Sequence, residues 1–375
     1  MQPKKILFLN LTAFSQTGGI EKFNKCFLKA LHSLETDGII YSESFSAYDH
    51  AADEDYYPAS KYTGFKKRRW LFALRSVLKA KDFDEVILGH INLAVIGCSI
   101  KFLYQKKVLL ITHGIEVWKP LAGIKKNITE RADLILAVSD FTKSKLLQVQ
   151  QVHENRILIF PDTLDPFFAF PWQFRRNTDL RKRYGLNENT PVLFTLTRLA
   201  DNEQYKGCDR VIECLPQLVQ YYPQLKYVVS GKFDAKEKKR LDRIIRALEL
   251  EGRVIFTGFI KEEEVVPHFL MADVFIMPSS GEGFGIVFIE AMTCGLPVIA
   301  GSRDGSADAL RNGELGTLVD PDNKEEIVDA VREALDEKSQ ASESKKYRLQ
   351  RKALKYFGFE QYKKRLKEVL AGDEV

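Results

Sequence analysis

Short apolar runs alternate with helix-length segments from one end of this chain to the other, and they do so in two separate series. The first series places strands near Ile6–Asn10, Val86–Gly89, Val108–Thr112, Leu134–Val138 and Ile157–Phe160. The second places them near Val192–Thr197, Tyr227–Ser230, Val254–Thr257, Val274–Met277 and Val298–Ala300. Near-continuous Val/Ile/Leu runs joined by helices are what buried parallel strands with crossover connections require, so the chain reads as α/β with two doubly wound lobes. At 375 residues it is too long for one core and comfortable for two. Pro161, Pro166 and Pro171 punctuate the stretch between the series. That stretch gives a first domain over 1–165, a linker over 166–190 and a second domain over 191–355.

Composition removes several function classes. The 56 Lys and Arg against 51 Asp and Glu leave a net charge of +5, mild beside the basic stripe that nucleic acid demands, so no nucleic-acid partner is expected. Cys26, Cys98, Cys208, Cys214 and Cys294 are scattered and lack Cys-x-x-Cys or Cys/His spacing, so neither a disulfide framework nor a zinc site is expected. The most apolar stretch, 86–103, is interrupted by His90, Asn92 and Lys101, and the N-terminus runs directly into a strand pattern. Neither a signal peptide nor a membrane span is expected, and a cytoplasmic location fits.

In an open parallel sheet, ligands bind beyond the carboxyl ends of the strands, so a motif that directly follows a strand gains weight. Thr17-Gly18-Gly19-Ile20-Glu21 follows the first strand and opens a helix whose Phe23, Phe27, Leu28 and Leu31 recur at helical spacing. Amides at such a helix start can face an anion, but neither dinucleotide nor P-loop glycine spacing is present, so a plain turn is an equal reading. Ser279-Ser280-Gly281-Glu282-Gly283-Phe284-Gly285-Ile286 lies between a strand and a helix, with Glu290 farther along that helix. Glu282 and Glu290 can accept from hydroxyls, while the amides of Gly283 to Ile286 can donate to oxyanions. The combination suits a polyhydroxylated ligand carrying phosphate. Arg198 ends another strand and Lys206-Gly207 opens the helix after it. Two cations there can neutralise charge on a departing diphosphate, surface ion pairing being the other reading. His113 stands just past a strand, placed to contact the reacting group, whereas His90 reads as a structural histidine.

Jointly these residues resemble the retaining glycosyltransferases of family 4, GT4, with the GT-B fold. The resemblance is carried by Glu282 and Glu290 in their Glu-Gly-Phe-Gly setting, Arg198 with Lys206-Gly207, Gly18-Gly19-Ile20-Glu21, Ala137-Val138-Ser139 and Gly295-Leu296-Pro297-Val298-Ile299-Ala300. It implies two Rossmann-like domains facing each other across a cleft, the first binding the acceptor and the second a nucleotide sugar. It also implies that a final segment, 356–375, carries a helix near Glu360 to Leu370 that crosses back to the first domain. By the same resemblance Glu290 binds the donor ribose and Glu282 lies at the donor sugar and active centre. Gly283, Phe284, Gly285 and Ile286 approach sugar hydroxyls and phosphate, Arg198 and Lys206 bind the diphosphate, and Gly18 and Gly19 supply amides. Ser230, Gly231 and the segment around Ile260 line the donor, the last reading its base. Pro161-Asp162-Thr163-Leu164-Asp165 and Gly305-Ser306-Ala307-Asp308 depart from the family's usual Pro-Asn-Gly-Val-Asp and Gly-Gly-x-Pro-Glu patterns.

The expected reaction is retaining hexosyl transfer without metal or cofactor, the departing phosphate serving as base. UDP-glucose is the expected donor on family frequency, with a glycan or lipid-linked saccharide as acceptor, in polysaccharide or lipopolysaccharide-type synthesis. A GDP-mannose-using transferase, or an epimerase or phosphorylase of the same fold, is the alternative. The Asp-x-Asp triplets at Asp53/Asp55, Asp82/Asp84 and Asp320/Asp322 do not stand where a metal-diphosphate site would need them. Finally, Lys66-Lys67-Arg68-Arg69-Trp70 begins a helix with Trp70, Leu71, Leu74, Val77 and Leu78 on one face. That face reads either as an interfacial surface for the inner, anionic leaflet of the plasma membrane or as a surface packed on the first sheet.

Overall fold

The computed structural model describes residues 3–340 and 343–371. They form two compact units, one built from the chain up to Pro166 together with the residues from Phe357 onward, the other from Phe167–Tyr356.

In the first unit β1 (Lys4–Asn10), β2 (Ile40–Ser46), β3 (Tyr62–Gly64), β4 (Glu85–Leu88), β5 (Lys107–Thr112), β6 (Leu134–Ala137) and β7 (Ile157–Ile159) make one parallel sheet, in the order β3-β2-β1-β4-β5-β6-β7. In the second, β8 (Val192–Leu196), β9 (Lys226–Ser230), β10 (Val254–Gly258), β11 (Val274–Met277), β12 (Val298–Gly301) and β13 (Thr317–Val319) pair in the order β10-β9-β8-β11-β12-β13, again all parallel. All ten strands read from the sequence are present. The three additional ones lack an apolar run. β2 reads Ile-Tyr-Ser-Glu-Ser-Phe-Ser, and its inward face is made of the fully buried Ser42, Ser44 and Ser46. Their hydroxyls are satisfied by Tyr57 Oη at 2.8 Å, Asn10 Nδ2 at 3.2 Å and Asp49 Oδ2 at 2.8 Å, which is what makes a polar strand face affordable in a core. β3 and β13 have three residues each, too few to show a period.

Both orders reverse direction once, between β1 and β4 and between β8 and β11, and this switch point is where an open α/β sheet leaves a crevice at its carboxyl edge. Parallel pairing therefore delivers the loops after β1 and β4 to one edge of the first unit and those after β8 and β11 to one edge of the second. Beneath the helices the faces are apolar: Leu7, Leu9, Val86, Leu88 and Val108 pack beneath α2 (Arg69–Ala80) and α3 (Ala94–Tyr104), and Leu193, Val229, Ile276 and Ile299 pack beneath the helix Cys208–Tyr221. α1 (Gly19–Thr36) covers the other face of the first sheet with Phe23, Phe27 and Leu31.

The stretch 176–190 is tied to the second unit. Arg181, almost fully buried, donates to the carbonyls of Met271, Asn187 and Thr190 at 2.5–2.7 Å, and Arg176 pairs with Asp273 at 2.6 Å. The final helix, Phe359–Ala371, packs on α1 within the first unit: the Tyr362 ring lies 4.6 Å from that of Phe160 and 6.2 Å from that of Phe23.

α2 packs on the first sheet by one face and leaves most of the stripe read from the sequence in solvent. It buries Phe72, Ser76 and Ala80, with Val77 against the core, while Trp70 is 91% exposed and Leu71, Leu74 and Leu78 stand in solvent. Val77 therefore belongs to the core side and not to the exposed stripe. Among the described residues no helix is long and apolar enough to cross a membrane.

The Tyr362 hydroxyl is buried without a hydrogen-bond partner among the described residues. A buried polar group left unpaired costs free energy, so Tyr362→Phe should leave the melting temperature unchanged or raise it. Tyr362→Ala should cost about 3 to 5 kcal/mol in denaturant unfolding, because a large ring is deleted from a packed cluster.

Candidate active site

At the carboxyl edge of the second sheet the loop after β8 meets the loop after β11. Lys206 ends the short helical turn Asp201–Lys206, and its ammonium is ion-paired with the Glu282 carboxylate, both side chains being mostly buried. Burial pushes the Lys206 ammonium down, but adjacent Glu282 more than offsets this and leaves it above its ordinary value. Arg198, just past β8, is 63% exposed and pairs with Glu203 Oε1 at 2.7 Å; the other carboxylate oxygen of Glu203 is buried without a hydrogen-bond partner among the described residues. The two cations thus stand where the sequence places them, each held by a carboxylate that sequence spacing does not reveal for it. The Tyr205 ring lies beneath the Lys206 ammonium at 5.3 Å.

The glycine loop is shaped by Asp304. This carboxylate, 1% exposed, accepts from Ser279 Oγ at 2.7 Å, from the Glu282 amide at 2.6 Å and from the Ser306 amide at 2.9 Å, while the Gly305 amide donates to the Glu282 carbonyl at 2.8 Å. Gly285 caps the helix Ile286–Thr293 at φ +97°, and a Cβ there would meet the Phe288 ring at 2.4 Å, so both backbone and space call for glycine. Phe284 and Ile286 are themselves buried, which leaves backbone as the loop's means of reaching a ligand. Glu290 lies on the helix Ile286–Thr293 and is only 1% exposed, deeper than a helix-surface position would be.

Ser230 ends β9 fully buried, its hydroxyl accepting from Thr257 Oγ1 at 2.7 Å; it closes the seam between β9 and β10 and offers no side chain to the surface. Gly231 follows at φ +140°, where a Cβ would sit 1.8 Å from the Thr197 carbonyl oxygen, so the chain after β9 can run this close to the loop carrying Arg198 only as glycine. Ile260 is buried beside the exposed Phe259.

In the first unit, Gly18 and Gly19 stand at the start of α1, and a Cβ on Gly19 would meet nothing within 4 Å. His113 lies beyond β5. Its Nε2 donates to the Gly89 carbonyl at 2.8 Å, since a carbonyl can only accept, and its ring lies edge-on to Phe23 at 4.9 Å and parallel to His90 at 6.0 Å. His90 caps the turn after β4 by accepting from the Asn92 amide at 3.0 Å, and burial, with His113 close by, pushes its imidazole down to about 4. A neutral His90 supports the structural reading given to it.

The Asp-x-Asp triplets have protein partners. Asp320 and Asp322 pair with Arg303, Asp322 also with Arg210, and Asp84 accepts from the Lys5 amide at 2.8 Å. Among the described residues no group of three or more His, Cys, Asp or Glu is arranged to hold a metal ion. The five cysteines are free thiols.

Comparison with known proteins decides the family. The family described as glycosyl transferases group 1 matches residues 176–352. The GDP-mannose-dependent α-(1-6)-phosphatidylinositol monomannoside mannosyltransferase of Mycolicibacterium smegmatis is 31% identical over 274 residues, covering 70% of each chain. The chain belongs to the group 1 glycosyl transferases. A Corynebacterium glutamicum mannosyltransferase acting on a monoacylated form of the same lipid is 25% identical to this transferase over 338 residues, 85% of this chain and 86% of that one. The Anabaena protein HepE, solved in complex with UDP and glucose, superposes with a TM-score of 0.74 at 21% identity, over 98% of this chain and 100% of that one. That likeness gives the transferase the GT-B fold, with a Rossmann-like sheet in each unit.

Asp304, Glu203 and Tyr205 were missed by sequence reasoning. Asp304 stands three residues beyond β12 and nowhere near Glu282 in the chain, so only tertiary structure joins them. Burial raises the Asp304 carboxyl above its ordinary 3.8, even against the donors that stabilise its charge. A carboxyl raised on folding contributes stability that is present below its unfolded value and lost as pH rises through the folded one. The stability of this transferase relative to its Asp304→Asn variant should therefore fall as pH climbs from below 3.8, read by chemical denaturation across that range. Asp304→Ala, which leaves several buried donors without an acceptor, should lower stability by about 2 to 4 kcal/mol near neutral pH.

Proposed function

We propose that this transferase moves a hexose, with retention of anomeric configuration, from a nucleoside-diphosphate sugar held by the second unit to a saccharide acceptor carried on a lipid. The observation that carries the reading is the meeting of Lys206, Arg198 and Glu282 beside a glycine loop at the carboxyl edge of β8 and β11. A diphosphate entering there would take Lys206 as its partner and release Glu282 to accept from hydroxyls of the donor sugar. As the bond from the anomeric carbon to phosphate breaks, negative charge grows on the diphosphate, where Lys206, Arg198 and the amides of Gly283 to Ile286 stabilise it. The acceptor oxygen bonds to the same face of that carbon, and its proton passes to the departing phosphate oxygen. The products are a glycoside and a nucleoside diphosphate, and no step calls on a metal or cofactor. Glu290, on the helix Ile286–Thr293 of the second unit, is the proposed contact to the ribose, and Gly18, Gly19 and His113 are the first-unit residues proposed to take part.

GDP-mannose is the donor we favour, because relatives at 31% and 30% identity are named as dependent on it. The competing donor is UDP-glucose.

The lipid surface is read from α2 and α3. Residues 65–81 contain seven cations and no acid. Trp70, Leu71, Leu74 and Leu78 on α2 stand in solvent, as do Val95, Phe102 and Leu103 on α3, which packs beside it. A basic rim around exposed aromatic and aliphatic side chains fits an anionic bilayer, each cation near the surface contributing about 1 kcal/mol.

Lys206→Ala should cut transfer on the order of 100-fold without unfolding the chain, read as nucleoside diphosphate release; ordinary turnover in that variant would refute the site. A thermal-shift and turnover panel of GDP-mannose against UDP-glucose decides the donor, and the anomeric configuration of the product, read by NMR, decides retention. Product formed from donor alone would instead point to an epimerase. The protein should float with phosphatidylglycerol vesicles and not with phosphatidylcholine, and replacing Lys66 to Arg69 with Gln should abolish flotation.

A further inference from the structure

The loop that joins β1 to Gly18 and Gly19 is wrapped around a single buried carboxylate. Asp49 is fully buried, and six donors converge on it. Oδ1 accepts from Thr12 Oγ1 at 2.8 Å, from the Phe14 amide at 3.2 Å and from the Ser15 amide at 2.8 Å. Oδ2 accepts from the Ala13 amide at 2.7 Å, from Ser46 Oγ at 2.8 Å and from Tyr62 Oη at 2.6 Å. Burial pushes this carboxyl up, and the donors more than compensate, holding it below its ordinary value. The charge is met by amides and hydroxyls, the arrangement proteins use for a bound anion, but here the anion is their own side chain.

The main chain around Asp49 is itself held from both sides. The Ala47 and Tyr48 amides donate to the carbonyls of Asn10 and Leu11, and the Lys66 amide donates to the Asp49 carbonyl at 3.1 Å. The exits of β1, β2 and β3 therefore share one rigid turn, with Asp49 at its centre. Three successive amides, Ala13 to Ser15, are turned inward to Asp49, so the backbone left to meet a ligand begins after Ser15.

We infer that Asp49 is a positioning residue for glycosyl transfer, fixing the β1–α1 loop so that Gly18 and Gly19 are presented to the substrate in one conformation. The inference rests on the proposed part of that glycine loop in transfer. Asp49 touches no substrate itself and acts through the loop. Asn in its place turns an acceptor into a donor. Ser46 and Tyr62 can rotate their hydroxyls to accept, but a backbone amide cannot, so at least the Ala13 amide, or those of Phe14 and Ser15, loses its partner. A loop loosened by about an ångström is enough to cost up to about 100-fold in turnover.

The test compares the full chain with its Asp49→Asn, Tyr62→Phe and Gly19→Ala variants. It uses the nucleotide sugar chosen by the donor panel, with kcat and donor KM from nucleotide release and hydrogen exchange of peptides covering 11–19. Asp49→Asn should lower kcat by about ten- to a hundredfold, leave donor KM unchanged and speed exchange in that loop alone, a split that general destabilisation would not produce. Should Asp49→Asn fail to fold, Tyr62→Phe, which removes one donor and keeps the ring, should lower kcat several-fold with the same split. Wild-type kcat in whichever of these two variants folds overturns the assignment. Gly19→Ala separates the two ideas, because its methyl meets no protein atom within 4 Å. If it lowers turnover while Asp49→Asn does not, only the role of Asp49 falls; if neither lowers turnover, the glycine loop has no part in transfer.

Discussion

Parallel strand pairing is the constraint on which the rest of this protein depends. With every strand of a sheet running one way, each loop that leaves a strand emerges at the same edge, and the reversal of strand order opens a gap there. Arg198 and Glu282 are far apart in sequence, and they become neighbours of the same crevice because β8 and β11 are adjacent at that reversal. Nothing in the chemistry of either residue requires the other. The sheet supplies the geometry, and the helix starts supply the amides.

Given that geometry, electrostatics decides what the edge can do. An ammonium and a carboxylate mostly withdrawn from water attract strongly, but each has lost solvation, and the balance of a buried pair is close to neutral. Its significance is therefore in exchange. In the proposed transfer a diphosphate would offer Lys206 more charge than Glu282 does, and exchanging one partner for the other would release a carboxylate for the sugar hydroxyls. The Arg198 and Glu203 pair differs, since its arginine is well exposed and its attraction correspondingly screened.

Much of the fold was legible because buried parallel strands write themselves as apolar runs. β2 was not, because its inward face is serine, and a serine face is stable only when tertiary partners such as Tyr57 and Asp49 are already in place. The same limit governs the site. Arg198, Lys206, Glu282 and the glycines could be read from their place after strands, since that is a local property. Asp304, Glu203 and Asp49 could not, because a clamp is defined by what it holds. The depth of Glu290 and the spent hydroxyl of Ser230 were likewise invisible, each depending on how neighbouring elements close over it. On α2 the helical period was legible, but which side faced the sheet was not. Phe72, Ser76 and Ala80 face the sheet, and Trp70, Leu71, Leu74 and Leu78 are left outside.

The two carboxylate clamps share one design. Asp49 stands three residues past Ser46, the end of β2, and Asp304 three residues past Gly301, the end of β12. β2 pairs with β1, and β12 pairs with β11, the strands whose loops carry the glycines. Each carboxylate thus reaches sideways from the neighbouring strand into a glycine-bearing loop, takes backbone amide donors from it, three for Asp49 and one for Asp304, and accepts from a serine hydroxyl, Ser46 in one case and Ser279 in the other. A glycine-bearing loop has many conformations to lose on binding, and a ligand that must order it gives up affinity or rate in doing so. Ordering the loop beforehand against an internal anion removes that cost. The device recurs on either side of the switch point in the two sheets, which ties it to the architecture: an acid one strand away is the nearest place from which a glycine-bearing loop beside the switch point can be held.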